Sequence, residues 1–337
     1  MPTTARLVVV DVSGVCLIRE LDLPDPGPGQ VVVQIDAATV EPADIQRIAA
    51  GEPGLRLIGE AGSGLVLAAG PGVASVAPGD RVIVTRAGAR TAAARAVVLD
   101  DGQETAPASV YTWATDVLVD EVAVAKVERL PDKEALAHLG SSSLLAKTAF
   151  ERAQATLDDS AAVFGAGPVG LALVQLLKDA GVGTIVVVDR SEARRSQAAK
   201  LGATHVVSQG GEAELAQVRE AADGGASVVF DCVYEFAATN RPGPLARAAD
   251  GIAVAVGTPG TDDEASRLAG LAAFDVVVDQ PDRGLLPSLV AAVAAGRFSH
   301  SPLVTMRYTI ESVNEAVRDL ESGAFVGVGL LIMEPLR

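Results

Sequence analysis

Cysteine, histidine and aromatic residues are scarce in this chain of 337 residues, and each shortage removes a class of protein. Only Cys16 and Cys232 are present, too few for a disulfide framework or a cysteine-rich zinc site. Such sparse use of cysteine fits a reducing cytoplasm, the expected compartment. The three histidines, His138, His205 and His300, are scattered with no i, i+4 pair, and His205 reads as structural. Aromatics make up 3% of the chain, so its cores must be built mostly from Ala, Val and Leu. No apolar run is long enough for a bilayer, and Met1 to Gly14 reads as a strand opening, without the basic-then-apolar layout of a signal peptide. Basic residues number 27 against 43 acidic ones, for a net charge of -16. That balance argues against nucleic acid or an anionic membrane as a partner and leaves a small molecule.

What is present is a globular composition, 49% apolar and 21% charged, with room for two domains of ordinary size. Its most informative stretch runs from Phe164 to Asp189. Ala161-Ala162-Val163-Phe164 has the make-up of a buried parallel strand. Gly165-Ala166-Gly167-Pro168-Val169-Gly170 follows at once, and Leu171 to Ala180 continues in helical periodicity. In a G-x-G-x-x-G turn the first glycine permits the tight bend and the second lets backbone approach a pyrophosphate. The third allows close helix–strand packing, and the helix start offers N–H groups to phosphate. A second apolar run, Thr184 to Val188, ends at Asp189, whose carboxylate can accept from both ribose hydroxyls and would repel a 2′-phosphate. This selects NAD(H), with NADP(H) as the alternative, because Arg190, Arg194 and Arg195 lie close enough to blunt the preference. Those arginines also read as the solvated first turn of a helix from Ser191 to Leu201, with Ser191 as N-cap.

Around this core the chain changes character. From Arg6 to about Ala96, short strand-like runs alternate with Gly- and Pro-rich turns, and residues 86–110 show no clear period. Tyr111 and Trp113, before the strand Val117 to Val119, suit a β-lobe core better than a substrate wall. Ser141-Ser142-Ser143 and Lys147 read as helix cap and packing. From about Ala146 to Gln280 strands near 161–164, 184–188, 204–207, 227–231, 252–257 and 275–278 alternate with helices, the pattern of a parallel sheet covered on both faces. Pro242 and Pro244 leave only a short or irregular helix after Asp231. A helix from Leu285 to Ala295, a strand near Tyr308, a helix from Ile310 to Glu321 and a strand from Val328 to Met333 close the chain.

Taken in order, Gly27-Pro28-Gly29-Gln30-Val31-Val32-Val33, Val40-Glu41-Pro42-Ala43-Asp44, Gly59-Glu60-Ala61-Gly62-Ser63-Gly64, Gly79-Asp80-Arg81-Val82 and Gly165 to Gly170 resemble the medium-chain dehydrogenase/reductase superfamily, as do Ala198 to Val206 and the tail. The resemblance covers nearly the whole chain. It implies an α/β architecture: a Rossmann doubly wound parallel sheet domain (146–280) inserted into a β-rich GroES-like catalytic domain (1–145 plus 281–337), with the active site between them. It also implies that Val233, Gly257 and Thr258 approach the nicotinamide, and that the molecule is a homodimer.

Departures from the family pattern carry as much information. Zinc-dependent members have a cysteine ligand where Glu41 stands, a hydroxyl proton relay where Ala43 stands and a histidine ligand where Glu60 stands. A further ligand falls near Ser141, a relay histidine is replaced by Gln46, and 86–110 holds no cysteine for a structural zinc lobe. The resemblance therefore implies that neither zinc site is kept. Val40-Glu41-Pro42-Ala43-Asp44 is closer to the zinc-free quinone and enone reductases, whereas Gly165 to Gly170 is closer to the alcohol and polyol dehydrogenases. The tail Gly327-Val328-Gly329 lacks a lysine that many relatives carry there.

If the alignment holds, Glu41 and Glu60 share one pocket, and like charge and burial let one stay protonated as general acid or base, with Asp44 behind them. The competing reading makes them solvated carboxylates or partners of Arg47 or Arg56. The expected activity is zinc-independent, NAD(H)-dependent interconversion of a secondary alcohol and a carbonyl. Reduction of an enone or iminium is the alternative, and a redox-neutral or non-catalytic dinucleotide-binding protein is the third reading.

Overall fold

The computed structural model describes residues 3–50, 53–87, 92–127, 132–208, 212–233, 247–257, 275–278 and 280–334. The chain divides into two units, one of residues 1–141, 286–294 and 300–337 and one of residues 142–285 and 295–299.

In the first unit, β1 (Thr3–Val10) and β2 (Cys16–Leu23) form an antiparallel hairpin, and β1 also pairs with the short β4 (Arg56–Leu57). A second, mixed sheet runs in the order β15 (Val304–Thr309), β16 (Val328–Ile332), β3 (Gln30–Val40), β5 (Ala61–Ala69), β6 (Arg81–Thr85) and β8 (Val124–Lys126). β7 (Asp116–Asp120) pairs along β3. Valines and isoleucines of β1, β3, β5 and β6 meet Tyr111 and Trp113 in one apolar cluster. Trp113 is fully buried and its indole N–H donates to Thr39 O at 2.7 Å, so it is core, as its position implied. Within 86–110 the described residues carry only isolated bridges, Arg95 with Ala108, Val98 with Glu104 and Thr105 with Leu55.

The helix α1 (Pro42–Ala49) leaves β3 directly. Pro42 at its first position suits a helix start, since the missing N–H would have no partner there. Its first turn is locked by Asp44, which accepts at Oδ2 from Glu41 N–H at 2.9 Å.

The second unit is a six-stranded parallel sheet in the order β11 (His205–Ser208), β10 (Thr184–Asp189), β9 (Ser160–Phe164), β12 (Ala226–Asp231), β13 (Arg247–Val256) and β14 (Val276–Val278). Numbered within the unit this is 3-2-1-4-5-6, the doubly wound Rossmann order. β9, β10 and β12 are buried along almost their whole length, which is why they read as continuous apolar runs. Among the helices are α2 (Ser142–Ala153), α3 (Pro168–Asp179), α4 (Glu192–Leu201) and α5 (Glu212–Ala221). Ser191 caps α4 as expected, accepting from Arg194 N–H at 3.4 Å. The irregular helix expected after Asp231 lies outside the described residues.

Two further expectations differ at their edges. The helix of Leu285 to Ala295 is α6 (Leu286–Ala294) preceded by a 3-10 turn, and that of Ile310 to Glu321 is α7 (Val313–Glu321), also preceded by one. The architecture is thus a Rossmann domain interrupting, in sequence, a β-rich GroES-like one.

Candidate functional site

Two sets of residues deserve a chemical reading, one on each unit.

On the Rossmann unit, β9 delivers the chain into Gly165, which has a positive φ of 92° and whose N–H donates to Val188 O at 2.8 Å. A Cβ at Gly170 would fall 1.9 Å from Gly165 O, so only glycine lets α3 start this close to the strand. Gly167 is different, because a Cβ there would meet nothing within 4 Å. It is also the N-cap of α3, with no side chain bonding the first turn and with Pro168 next. The N–H groups of that turn therefore face an open approach, the arrangement an anion needs.

Asp189, buried at the end of β10, accepts from Ala166 N–H at Oδ2 (2.8 Å) and from Ser191 N–H at Oδ1 (2.8 Å). Each carboxylate oxygen has a second lone pair for a diol. Arg195 donates to the carbonyls of Asp189 and Arg190, Arg194 sits in the first turn of α4 with its N–H on the Ser191 cap, and Arg190 is exposed. Val233 follows β12, where its N–H donates to Asp231 Oδ1 at 3.2 Å, and Gly257 follows β13, where its N–H donates to Val278 O at 3.0 Å. Gly165 to Gly170, Asp189, Val233 and Gly257 thus gather at the carboxyl ends of parallel strands, where open α/β sheets hold ligands. Thr258 lies outside the described residues. The open cradle at Gly167 and the acid at Asp189 fit a dinucleotide.

On the β-rich unit, a polar cluster surrounds α1. Gly59, at φ 108°, turns the chain so that Glu60 enters β5, and a Cβ there would come 2.6 Å from Trp113 N. The antiparallel pairing of β5 with β6 sets Ala61 opposite Thr85. One residue further out, Arg86 N–H donates to Glu60 O at 3.0 Å. Glu60 Oε1 accepts from Arg47 at 3.0 Å and from Arg86 at 3.3 Å. Glu41 Oε1 accepts from Ser141 Oγ at 3.0 Å.

Asp44, 1% exposed, stands behind both glutamates. Burial, then the charges of Glu60 and Glu41, push its carboxyl well above the usual carboxylate range. Its Oδ1 is buried with no hydrogen-bond partner, which leaves the charged form unsolvated there and works in the same direction.

Of the two arginines named from sequence, Arg47 does pair with Glu60, whereas Arg56 does not pair with either glutamate. Arg56 is buried and donates to the carbonyls of Arg47, Ile48 and Asp11, closing the C-terminus of α1. Arg86 was not foreseen as a partner. Its only signal is the strand register that sets it beside Glu60, 26 residues away.

Zinc would need thiolate, imidazole or carboxylate ligands free to converge on it. Here Glu60 is committed to two guanidinium groups and Glu41 accepts a serine hydroxyl, and two adjacent cations would repel a third. Among the described residues no group of three His, Cys, Asp or Glu is placed to hold a metal ion. The residues present do not fit zinc. Also among them, no helix is long and apolar enough to cross a membrane.

Comparison with known proteins agrees with the architecture. Residues 27–129 match the alcohol dehydrogenase GroES-like domain family and residues 168–280 match the zinc-binding dehydrogenase family. The chain is 26% identical to the S-(hydroxymethyl)glutathione dehydrogenase of Photobacterium damsela subsp. piscicida, over 91% of this chain and 93% of that one. Its fold is similar to that of a short chain alcohol dehydrogenase from Escherichia coli CFT073 complexed with NADH, with a TM-score of 0.79 and 18% identity over 98% of this chain and 100% of that one. It is also similar to 2R,3R-butanediol dehydrogenase from Bacillus subtilis, with a TM-score of 0.77 and 23% identity over 98% and 100% of the two chains. With both halves matched and the dinucleotide-binding fold in place, the chain belongs to the medium-chain dehydrogenase/reductase superfamily, the zinc-type alcohol dehydrogenase-like oxidoreductases.

Proposed function

We propose that this oxidoreductase interconverts a secondary alcohol and a carbonyl on a small organic substrate, prefers NAD(H), and works without zinc. The observation that carries this reading is the Glu41–Asp44–Ser141 group, where a buried carboxyl of raised pKa stands behind a glutamate that already exchanges a hydrogen bond with a hydroxyl. Bound NAD(H) supplies the hydride acceptor or donor.

Glu41 takes the alcohol O–H proton as the carbonyl forms, and returns it to the carbonyl oxygen in the reverse direction. Asp44 is a positioning residue, acting through Glu41. Its carboxyl, pushed by burial toward the neutral form, lessens the negative charge of the cluster, and its Oδ2 fixes the backbone that carries Glu41. Ser141 orients the glutamate through Oε1. Glu60, held by two arginines, is assigned the role of anchor for those cations. A conjugated C=C or an iminium spreads or carries its own charge and would have less use for this proton-handling group, so the alcohol–carbonyl pair is the better match. The Asp189 carboxylate at the ribose position supports NAD(H) over NADP(H).

The test is NADH oxidation by chelator-dialysed protein with matched ketones, enones and cyclic imines. Ketone reduction is expected to persist after dialysis, and Glu41→Gln is expected to lower kcat by roughly 10²–10⁴-fold and to remove a limb of its pH profile. Stoichiometric zinc in the active protein, or full turnover by Glu41→Gln, overturns the proposal.

A further inference from the structure

Arg47 and Arg86 reach the same carboxylate from different elements, one from the last turn of α1 and one from just past β6. Each guanidinium presents several N–H donors in a rigid fork, and a single oxygen of Glu60 engages only one nitrogen of each. Among the described residues neither head has another acceptor. Their side chains stay partly open, 26% exposed for Arg47 and 48% for Arg86.

Charge points the same way. Two permanent cations face one carboxylate in direct contact. Asp44, which lies in the same cluster, is pushed by burial toward its neutral form and adds little negative charge beside them. A chain of net charge -16 has no general attraction for anions, so two guanidinium heads that converge on one carboxylate oxygen and stay partly open to solvent are a specific provision. Glu60 also supplies an internal precedent, since a planar carboxylate is already held between these two heads.

We propose that Arg47 and Arg86 clamp a carboxylate on the substrate, which makes the substrate an oxo acid in one direction and the matching hydroxy acid in the other. This deepens the alcohol–carbonyl reading and rests on it for the reacting group. It does not rest on it for the binding of the acid.

The test compares short- to medium-chain oxo acids, beginning with levulinate, with their methyl esters. Binding is measured by calorimetry in the presence of NAD+, so that no hydride can pass to the oxo group. At least one acid is expected to bind at least about ten-fold more tightly than its ester. Arg86→Gln and Arg47→Gln are each expected to weaken that acid roughly ten- to hundred-fold while leaving the ester unchanged, with Arg86→Lys restoring part of the loss. Unchanged ester binding by each variant also shows that it has folded. Equal binding of every acid and its ester, or equal loss of both in the variants, overturns the clamp.

NADH consumption then separates the two proposals. Acid binding without reduction of any oxo acid or neutral ketone sinks the alcohol–carbonyl reading and leaves the clamp standing. Reduction of neutral ketones with acids and esters indistinguishable sinks the clamp alone.

Discussion

Ala166 and Asp189, 23 residues apart in sequence, are joined by a hydrogen bond of 2.8 Å from the backbone N–H of the glycine turn to Oδ2 of the acid that ends β10. The residue assigned to ribose recognition therefore also shapes the loop assigned to the pyrophosphate. The two contacts belong to one rigid unit.

Replacing Asp189 should accordingly cost more than one hydrogen bond to a ribose. In Asp189→Asn the new amide can accept from Ala166 N–H or from Ser191 N–H, but it turns an NH2 group toward the other. NADH binding is expected to weaken by roughly ten-fold or more, in line with about 1–3 kcal/mol for an unmet buried donor. The preference for NADH over NADPH should narrow as well. Fluorescence titration with both nucleotides reads both effects. Unaltered affinity for NADH would show that Asp189 supports neither the ribose nor the binding loop.

The three-glycine turn gives a paired prediction. Gly167→Ala adds a methyl where nothing lies within 4 Å, so the thermal transition should stay within a degree or two while NADH binding falls by roughly ten-fold or more. Gly170→Ala places its methyl 1.9 Å from Gly165 O and should destabilise the fold by at least about 2 kcal/mol. Thermal denaturation beside calorimetry distinguishes them. If both variants lose stability and retain binding, the cradle is misassigned.

Acid stability should carry the mark of His138. Its ring is fully buried and Nε2–H donates to His300 O at 3.0 Å, the only sense open to a carbonyl partner. Burial first, and His300 second, hold its pKa down at about 4 against an ordinary value of 6.5. Between those values the unfolded chain takes up a proton that the folded chain refuses. Stability from this group is therefore complete above the unfolded value, falls as pH drops through the window, and levels off below the folded value. The span is worth about 3 kcal/mol. His138→Gln keeps a donor for His300 O and removes the titration, so its urea midpoints should vary less with acidification. Parallel pH curves for the two proteins would contradict the assignment.

The parts of this molecule that could be read in the sequence are those written locally. β9, the glycine turn, α3, β10 and Asp189 follow within thirty residues, each announced by periodicity or by a residue that only one backbone geometry accepts. The polar cluster on the β-rich unit was only half visible. Glu41, Asp44 and Glu60 stood out because they replace residues of another type, and Arg47 lies one helical turn from Asp44. By contrast, Arg86 reaches Glu60 through the register of β5 against β6, and Ser141 meets Glu41 across 100 residues of chain. Strand register and long-range closure leave no mark in a local pattern. The burial of Asp44 was hidden too, since a short polar helix start carries no local sign of what packs over it.

Arg56 gives the cluster a handle that touches none of its reactive groups. α1 is eight residues long, too short to persist in water unaided, and its closing carbonyls are held by a cation projecting from β4. The last turn of that helix, from which Arg47 projects, is thereby tied to a two-residue ribbon of sheet. Selection or engineering aimed at new substrates has there a remote point of leverage, one that acts through the helix backbone and not through any side chain of the cluster.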